Sequence, residues 1–357
     1  QKSLFKNWHY MCIFKHMRLI ILCFIFSSQF CFAKTKIYGS AINGHGQFVH
    51  VLTIDDYITS AETIMFSTSV DENDQFYIEL EDAGIREVVI RINNSYAQLY
   101  IQNEATYFIE FPEESIDVIS YFSGNETEIL FFKLDSTDIN YKILGFEAWM
   151  DDELADLYIL KDVEPTNFIQ GILQFKADVQ KEYMNDTSVF FKSYIKYSLG
   201  KIVDNIHYFG SPSNETKFDF FIKNEEIRYH NPAYMDFVSD FYDRYLYQMA
   251  SYLRGTIIES IFEQNSRNMV KALSFDSLIP NVEFAELIAL KIIQEEYKFG
   301  NLPKNNLISI TSQIESNGLN FDNRKIAYNL IEEFYTIIEG DPLPQVQLRE
   351  GTKLESP

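Results

Sequence analysis

The sequence predicts an α+β multidomain chain: an N-terminal antiparallel β-sandwich followed by an all-α helical domain. Three observations carry this expectation. Apolar residues alternate with period two from residue 34 to about Phe122, and from about Glu128 to Glu339 they recur at helical steps instead. Composition is the third observation. Of 357 residues, 46% are hydrophobic and 23% charged, the balance of a chain that buries a core, and the length allows about two domains. The expected divisions are 1–33, an upstream extension and signal peptide; 34–125, the β-sandwich; 126–339, the helical domain; and 340–357, a linker and the start of a further domain.

The N-terminus reads as a processing segment. The chain starts with Gln1, and Met17-Arg18 opens a signal-like pattern. Leu19–Phe26 is an eight-residue apolar run, followed by Ser27-Ser28-Gln29, with Cys31 and Ala33 placed as the small residues of a signal-peptidase site. The run is too short for a stable span of roughly 30 Å of hydrocarbon. A lipid anchor needs a small residue before the modified Cys, but Leu22 precedes Cys23 and Phe30 precedes Cys31. A buried N-terminal helix is the alternative. On the export reading the protein is periplasmic, cell-surface or secreted, and no stable membrane span remains after cleavage. All three Cys (12, 23 and 31) leave with this segment, so the mature chain would hold no disulfide, thiolate nucleophile or Cys-ligated metal. Lys2, Lys6, Lys15 and Arg18 leave too, which takes the net charge from −22 to −26.

Seven short strands are expected next, at Lys36–Ala41, Gln47–Ile54, Thr63–Val70, Gln75–Leu80, Ile85–Ile92, Ala97–Gln102 and Tyr107–Phe111. Turn chemistry separates them: Asn43-Gly44-His45-Gly46, Asp71-Glu72-Asn73-Asp74 and Asn93-Asn94-Ser95. In Gln75–Leu80, Phe76, Ile78 and Leu80 point one way and Gln75, Tyr77 and Glu79 the other, as a half-buried strand requires.

Roughly eight helices follow. Ile139, Ile143, Phe146, Trp149, Met150, Leu154, Leu157 and Leu160 form a stripe over Leu134–Lys161, and Phe168, Ile172, Phe175 and Val179 another over Asn167–Met184. Val189–Phe209 starts after Thr187-Ser188. Asn231-Pro232 is an N-cap and first-turn pair for Ala233–Tyr252. Gly255–Asn265, Arg267–Phe275, Val282–Phe299, Lys304–Ser316 and Asn323–Ile338 complete the series, each bounded by Gly, Pro, Asn or Asp.

Charge and motif content narrow the function. With 52 acids against 30 bases, the chain argues against nucleic acid and against an anionic membrane surface as partners. No HExxH, GxSxG or Walker loop occurs, and Gly39, Gly44 and Gly46 do not make a dinucleotide-binding fingerprint. His45 and His50 lie five apart on an extended segment and so face opposite ways. Asp55-Asp56 and Asp151-Asp152-Glu153 could be the paired carboxylates of a glycoside hydrolase, but a turn and a solvated helix face account for them better in a chain this rich in acids. Tyr234, Phe237, Phe241, Tyr242, Tyr245 and Tyr252 sit at helical spacing, as core or as a Tyr-lined groove. No catalytic, cofactor-binding or metal-binding residue is therefore assigned, and no cofactor is expected.

After the last helix, Gly340-Asp341-Pro342-Leu343-Pro344 leads to Val346, Leu348 and Glu350-Gly351. This stretch resembles the opening of the thioredoxin domain in TlpA/ResA-like bacterial proteins. Ile37–Ile42 through Phe111-Pro112 is similar to the small β domain of one branch of that family, and Ile227–Tyr234 with Phe237 and Phe241 to its helical spacer. The resemblance implies the N-terminal part of a thiol–disulfide oxidoreductase, whose Cys-x-x-Cys would lie beyond Pro357. This part would be non-catalytic and would position the redox domain or select its protein client. The alternative is a stand-alone binding module for a carbohydrate, a peptide or a protein partner.

Overall fold

The computed structural model describes residues 34–81, 84–112, 125–204, 213–335, 346–347 and 353–354. The expected signal segment with its three Cys, His207 and the stretch leading to Val346 lie outside the described residues.

Nine strands come first among the described residues: β1 (Lys34–Ala41), β2 (Phe48–Ile54), β3 (Glu62–Ser69), β4 (Gln75–Glu81), β5 (Arg86–Ile92), β6 (Ser95–Ile101), β7 (Thr106–Phe111), β8 (Asn125–Glu126) and β9 (Leu130–Phe131). They form two sheets, ordered β4-β1-β7-β9 and β3-β2-β5-β6-β8. The turns use the chemistry their residues offer. Asn43, Asp74 and Asn93 take left-handed backbone conformations that short polar side chains tolerate. Asp71 Oδ1 accepts from the backbone N–H of Asn73 at 2.7 Å and of Gln75 at 2.9 Å. Alternate residues from both sheets, among them Ile37, Ile78 and Ile109 from the first and Val51, Ile90 and Leu99 from the second, enter one buried apolar cluster. Gly39 lies across from Phe76, and a Cβ at Gly39 would sit 2.0 Å from the Phe76 ring. The missing side chain is what lets that ring lie over the neighbouring strand.

The purely antiparallel expectation is corrected. β1 runs parallel to β7, and β6 parallel to β8. Side chains alternate with period two in either direction of pairing, so the apolar pattern carries no information on strand direction. β8 and β9 have two residues each, too few to show a period.

Eleven helices follow among the described residues: α1 (Ile139–Leu160), α2 (Pro165–Glu182), α3 (Val189–Asp204), α4 (Asn214–Phe221), α5 (Pro232–Phe241), α6 (Tyr245–Gln248), α7 (Ser251–Phe262), α8 (Ser266–Leu273), α9 (Val282–Phe299), α10 (Lys304–Asn317) and α11 (Phe321–Tyr335). Asp138, Asn231, Asn265 and Asn281 cap α1, α5, α8 and α9 through their side chains. The single helix expected over Ala233–Tyr252 is three pieces. Tyr242 leaves helical geometry and Arg244 turns left-handed at φ 46°, which breaks the backbone ladder although the apolar spacing continues. α4 was not expected. α9 is buried on all sides over Phe284–Ile293, the mark of a central helix.

Short-range bonds fasten the helices to the second sheet at two places. At the first, Asn140 of α1 treats β6 as a strand would. Its Nδ2 donates to Tyr100 O at 2.7 Å and its Oδ1 accepts from Tyr100 N at 2.7 Å. At the second, the loop after β2 meets α9 and α11. Lys325 Nζ reaches Asp55 Oδ1 at 2.7 Å, Asn329 Nδ2 reaches Asp56 Oδ2 at 2.8 Å, and Gln294 Nε2 reaches Ile58 O at 2.8 Å. Ile58 itself belongs to the helical core cluster. No helix among the described residues is long and apolar enough to cross a membrane.

Near the C-terminus, Val346–Gln347 pairs antiparallel with Lys353–Leu354.

Candidate functional site

A cavity of about 740 Å³ opens where the second sheet meets α1, α3 and α5. Its size lies in the range of ligand-binding clefts. Regular spacing builds its walls. From α1 come Asn140, Ile143, Leu144, Glu147, Met150, Leu154 and Tyr158, three or four residues apart and therefore on one stripe. α3 gives Tyr194, Ser198, Lys201 and Ile202 in the same way. Gln98 and Tyr100 alternate with the core residues Leu99 and Ile101, so they face away from the other sheet. Glu87 is the direct cross-strand partner of Tyr100.

Two carboxyls in this cleft are unusual. Glu87 is 9% exposed, with Tyr57 Oη donating to its Oε2 at 2.9 Å. Removal from water raises its pKa; the Tyr57 bond opposes this, and the charges of Glu147 and Asp236 add to it. Glu147 accepts from the Tyr194 hydroxyl. Burial raises its pKa too, against the pull of the Tyr194 bond and with help from Asp151. The Tyr57, Tyr100 and Tyr194 hydroxyls are held well above their usual pKa, first by burial and then by these carboxylates, so all three stay protonated donors. Lys201 also lines the cleft, but it is clasped by Asp236 at 3.1 Å and Asp240 at 3.2 Å. Burial lowers its pKa, and the two aspartates outweigh that and hold it above its usual value. The site is thus an amphipathic cleft lined by apolar side chains, tyrosines and two carboxyls whose pKa burial raises.

The residues weighed from sequence fall elsewhere. Asp55 and Asp56 form the turn and fastening after β2: Asp56 Oδ1 accepts from the N–H of Ile58 at 2.9 Å and Thr59 at 2.7 Å. Asp151 and Asp152 are exposed on α1. His45 Nδ1 lies 3.0 Å from Asp71 O and His50 Nδ1 2.8 Å from Ser67 Oγ, each with its own partner. Among the described residues no cluster of three or more His, Cys, Asp or Glu could hold a metal. Tyr234, Phe237, Phe241, Tyr242 and Tyr245 are buried, whereas Tyr252 is 72% exposed. Asn231 accepts from Tyr234 N at 3.1 Å while its Nδ2 donates to Phe190 O at 3.1 Å.

Sequence reading missed Glu87, Tyr100, Glu147 and Tyr194. A signal for Glu147 exists: it falls between Ile143 and Met150 on the inward stripe of α1, where a solvated acid does not belong.

No protein-family model, curated protein or solved structure matches this chain.

Proposed function

We propose that the chain is an exported, non-catalytic binding module whose ligand site is the cleft between β5–β6 and α1, α3 and α5. One observation carries this reading: a cleft of ligand size whose opposite walls are tied together by the paired Asn140–Tyr100 bonds, so the site is preformed. We also read the two sheets as the halves of a β-sandwich, since residues of both enter one buried cluster.

The cleft reading is tested by a ligand-observed NMR fragment screen on the full chain, repeated with Leu144→Trp. Leu144 is half exposed on the cleft wall, so an indole there fills the cavity without touching the core. Hits that compete with one another and vanish in the variant support the site. Absence of hits, or hits indifferent to the variant, overturns it.

A second reading places this module in a thiol–disulfide oxidoreductase, with the cleft selecting the client. Support for it is the sequence resemblance at Gly340–Leu354, together with the strand pair Val346–Gln347 and Lys353–Leu354 at the place where that family has a first strand and turn. In such an enzyme a low-pKa thiolate attacks a substrate disulfide and a second thiol resolves the intermediate. Reading the gene past codon 357 tests it. An open frame with Cys-x-x-Cys within roughly 60 residues, the spacing of a redox motif at the start of its helix, supports this reading, and a stop codon refutes it. The chain as it stands is expected to leave insulin disulfides intact in a reduction assay.

A further inference from the structure

A further cavity, of about 290 Å³, lies between α2, α3 and α4. Residues three or four apart form its two long walls: Lys176, Val179 and Tyr183 on one side, and Lys192, Ile195 and Leu199 on the other. Val179, Ile195, Leu199 and Phe221 belong to the buried helical core, so core packing fixes the floor. Met184 and Phe220 also line the cavity and are exposed, so it opens to solvent beside them. α3 turns Tyr194, Ser198 and Lys201 to the cleft and Ile195, Lys196 and Leu199 to this cavity, and the two linings share no residue.

The charge of the cavity opposes that of the chain. The chain has 52 acids and 30 bases, yet the lining has three lysines, Lys176, Lys192 and Lys196, and no acid. Two of them stand over one ring: Lys176 Nζ lies 5.5 Å and Lys196 Nζ 5.2 Å from the Phe220 ring centre. Lys192 and Lys196 are four apart on α3, a spacing at which like charges repel. Glu225 pairs with Lys196 at 2.6 Å. Among the described residues, Lys176 and Lys192 make no ion pair. Asp186 feels the Lys192 charge but is already held by Lys142 at 2.6 Å. Positive charge is thus in excess around an apolar hollow.

A purely apolar ligand leaves that charge unmatched, and a small inorganic anion leaves the apolar floor wet. We infer that the cavity binds an amphiphilic monoanion, a medium-chain fatty acid. Its carboxylate lies at the Lys176 and Lys196 end beside Phe220. Its alkyl chain lies over Val179, Ile195 and Leu199, where apolar burial stabilises it. The volume is near the lower end for ligand pockets, which suits a medium chain and not a long one.

Isothermal titration of the full chain with octanoate at pH 7 and low ionic strength tests the proposal, beside 1-octanol, which lacks the charge, and acetate, which lacks the chain. Octanoate is expected to bind at least tenfold more tightly than either. Lys176→Glu reverses one charge on a partly exposed side chain. It should leave the melting temperature nearly unchanged, as surface changes do, and weaken octanoate by about fivefold or more at low salt. Leu144→Trp, which fills the cleft, should leave octanoate binding as it is. Octanol or acetate binding as well as octanoate, no octanoate binding at millimolar concentration, unchanged binding in Lys176→Glu, or loss of binding in Leu144→Trp would each overturn the proposal. A glutamate-rich peptide binding more tightly than octanoate would mark a docking face for an acidic protein instead. Co-sedimentation with phosphatidylglycerol vesicles without octanoate binding would mark a lipid-headgroup site, and either result also overturns it.

Discussion

Glu87 shows how one residue's surroundings set its chemistry. A glutamate on a strand between Arg86 and Val88 would normally be solvated and ionised above about pH 4.3. Here helices cover the face that β5 presents away from the other sheet, and burial holds the carboxyl above that range. A raised carboxyl pKa means the folded chain binds the proton more tightly than the unfolded chain. The Glu87 contribution is therefore neutral below the unfolded pKa, and stability falls as pH rises from there through the folded pKa. Glu87→Gln imitates the protonated form and still accepts from Tyr57. Urea denaturation should show little difference between variant and parent at pH 4 and a more stable variant at pH 7. A variant equally or less stable at pH 7 would mean that the carboxylate is well solvated in the fold. The sequence could not reveal this residue, because one period-two pattern fits a strand with a wet outer face and a strand with a covered one.

At the scale of elements, legibility followed period and caps. Val282–Phe299 was readable to both ends because Asn281 caps it, Gly300 closes it and apolar residues recur along its whole length. The strands β1 to β7 were readable because polar turns separate them. Strand direction, the α5–α6 break at Arg244 and the two-residue strands were not, since each depends on backbone conformation or partners that side-chain spacing does not encode. Element contacts were equally invisible, and the α1–β6 join is the one that matters most for the cleft. Asn140 is 2% exposed and satisfies both backbone groups of Tyr100. Removing its amide leaves a buried N–H and a buried C=O without partners. Asn140→Ala should cost about 2–4 kcal/mol, near the sum for two orphaned polar groups, measured by urea denaturation at pH 7. A loss below about 0.5 kcal/mol, the level of an ordinary surface change, would show that water replaces the amide there.

At the scale of the whole molecule, the question is whether the β part and the helices unfold as one unit. The Asp55–Ile58 loop is bound by α9 and α11, with partners 236 to 273 residues away in the chain. Asn329 and Asp56 are both largely buried, so their bond is shielded from solvent, while the Lys325–Asp55 pair has its lysine about one-third exposed and contributes less. Ile58 adds apolar burial in the helical core. Asp55 and Asp56, weighed from sequence as catalytic acids, are thus better understood as the fastening between two halves of the protein. Such long-range ties couple domains that otherwise each possess a core. The parent chain is expected to melt in one calorimetric transition, with equal calorimetric and van't Hoff enthalpies. Gln294→Ala with Asn329→Ala removes two ties and leaves Asp56 still satisfied by its own turn, so neither half loses its core. The double variant should lose about 2 kcal/mol, one hydrogen bond's worth per site, and separate into two transitions. If it still melts in a single transition at a lower temperature, the coupling resides in the Asn140–Tyr100 join and the shared apolar contacts instead. If the parent itself shows two transitions, the halves are energetically independent and the cleft between them is not a rigid site.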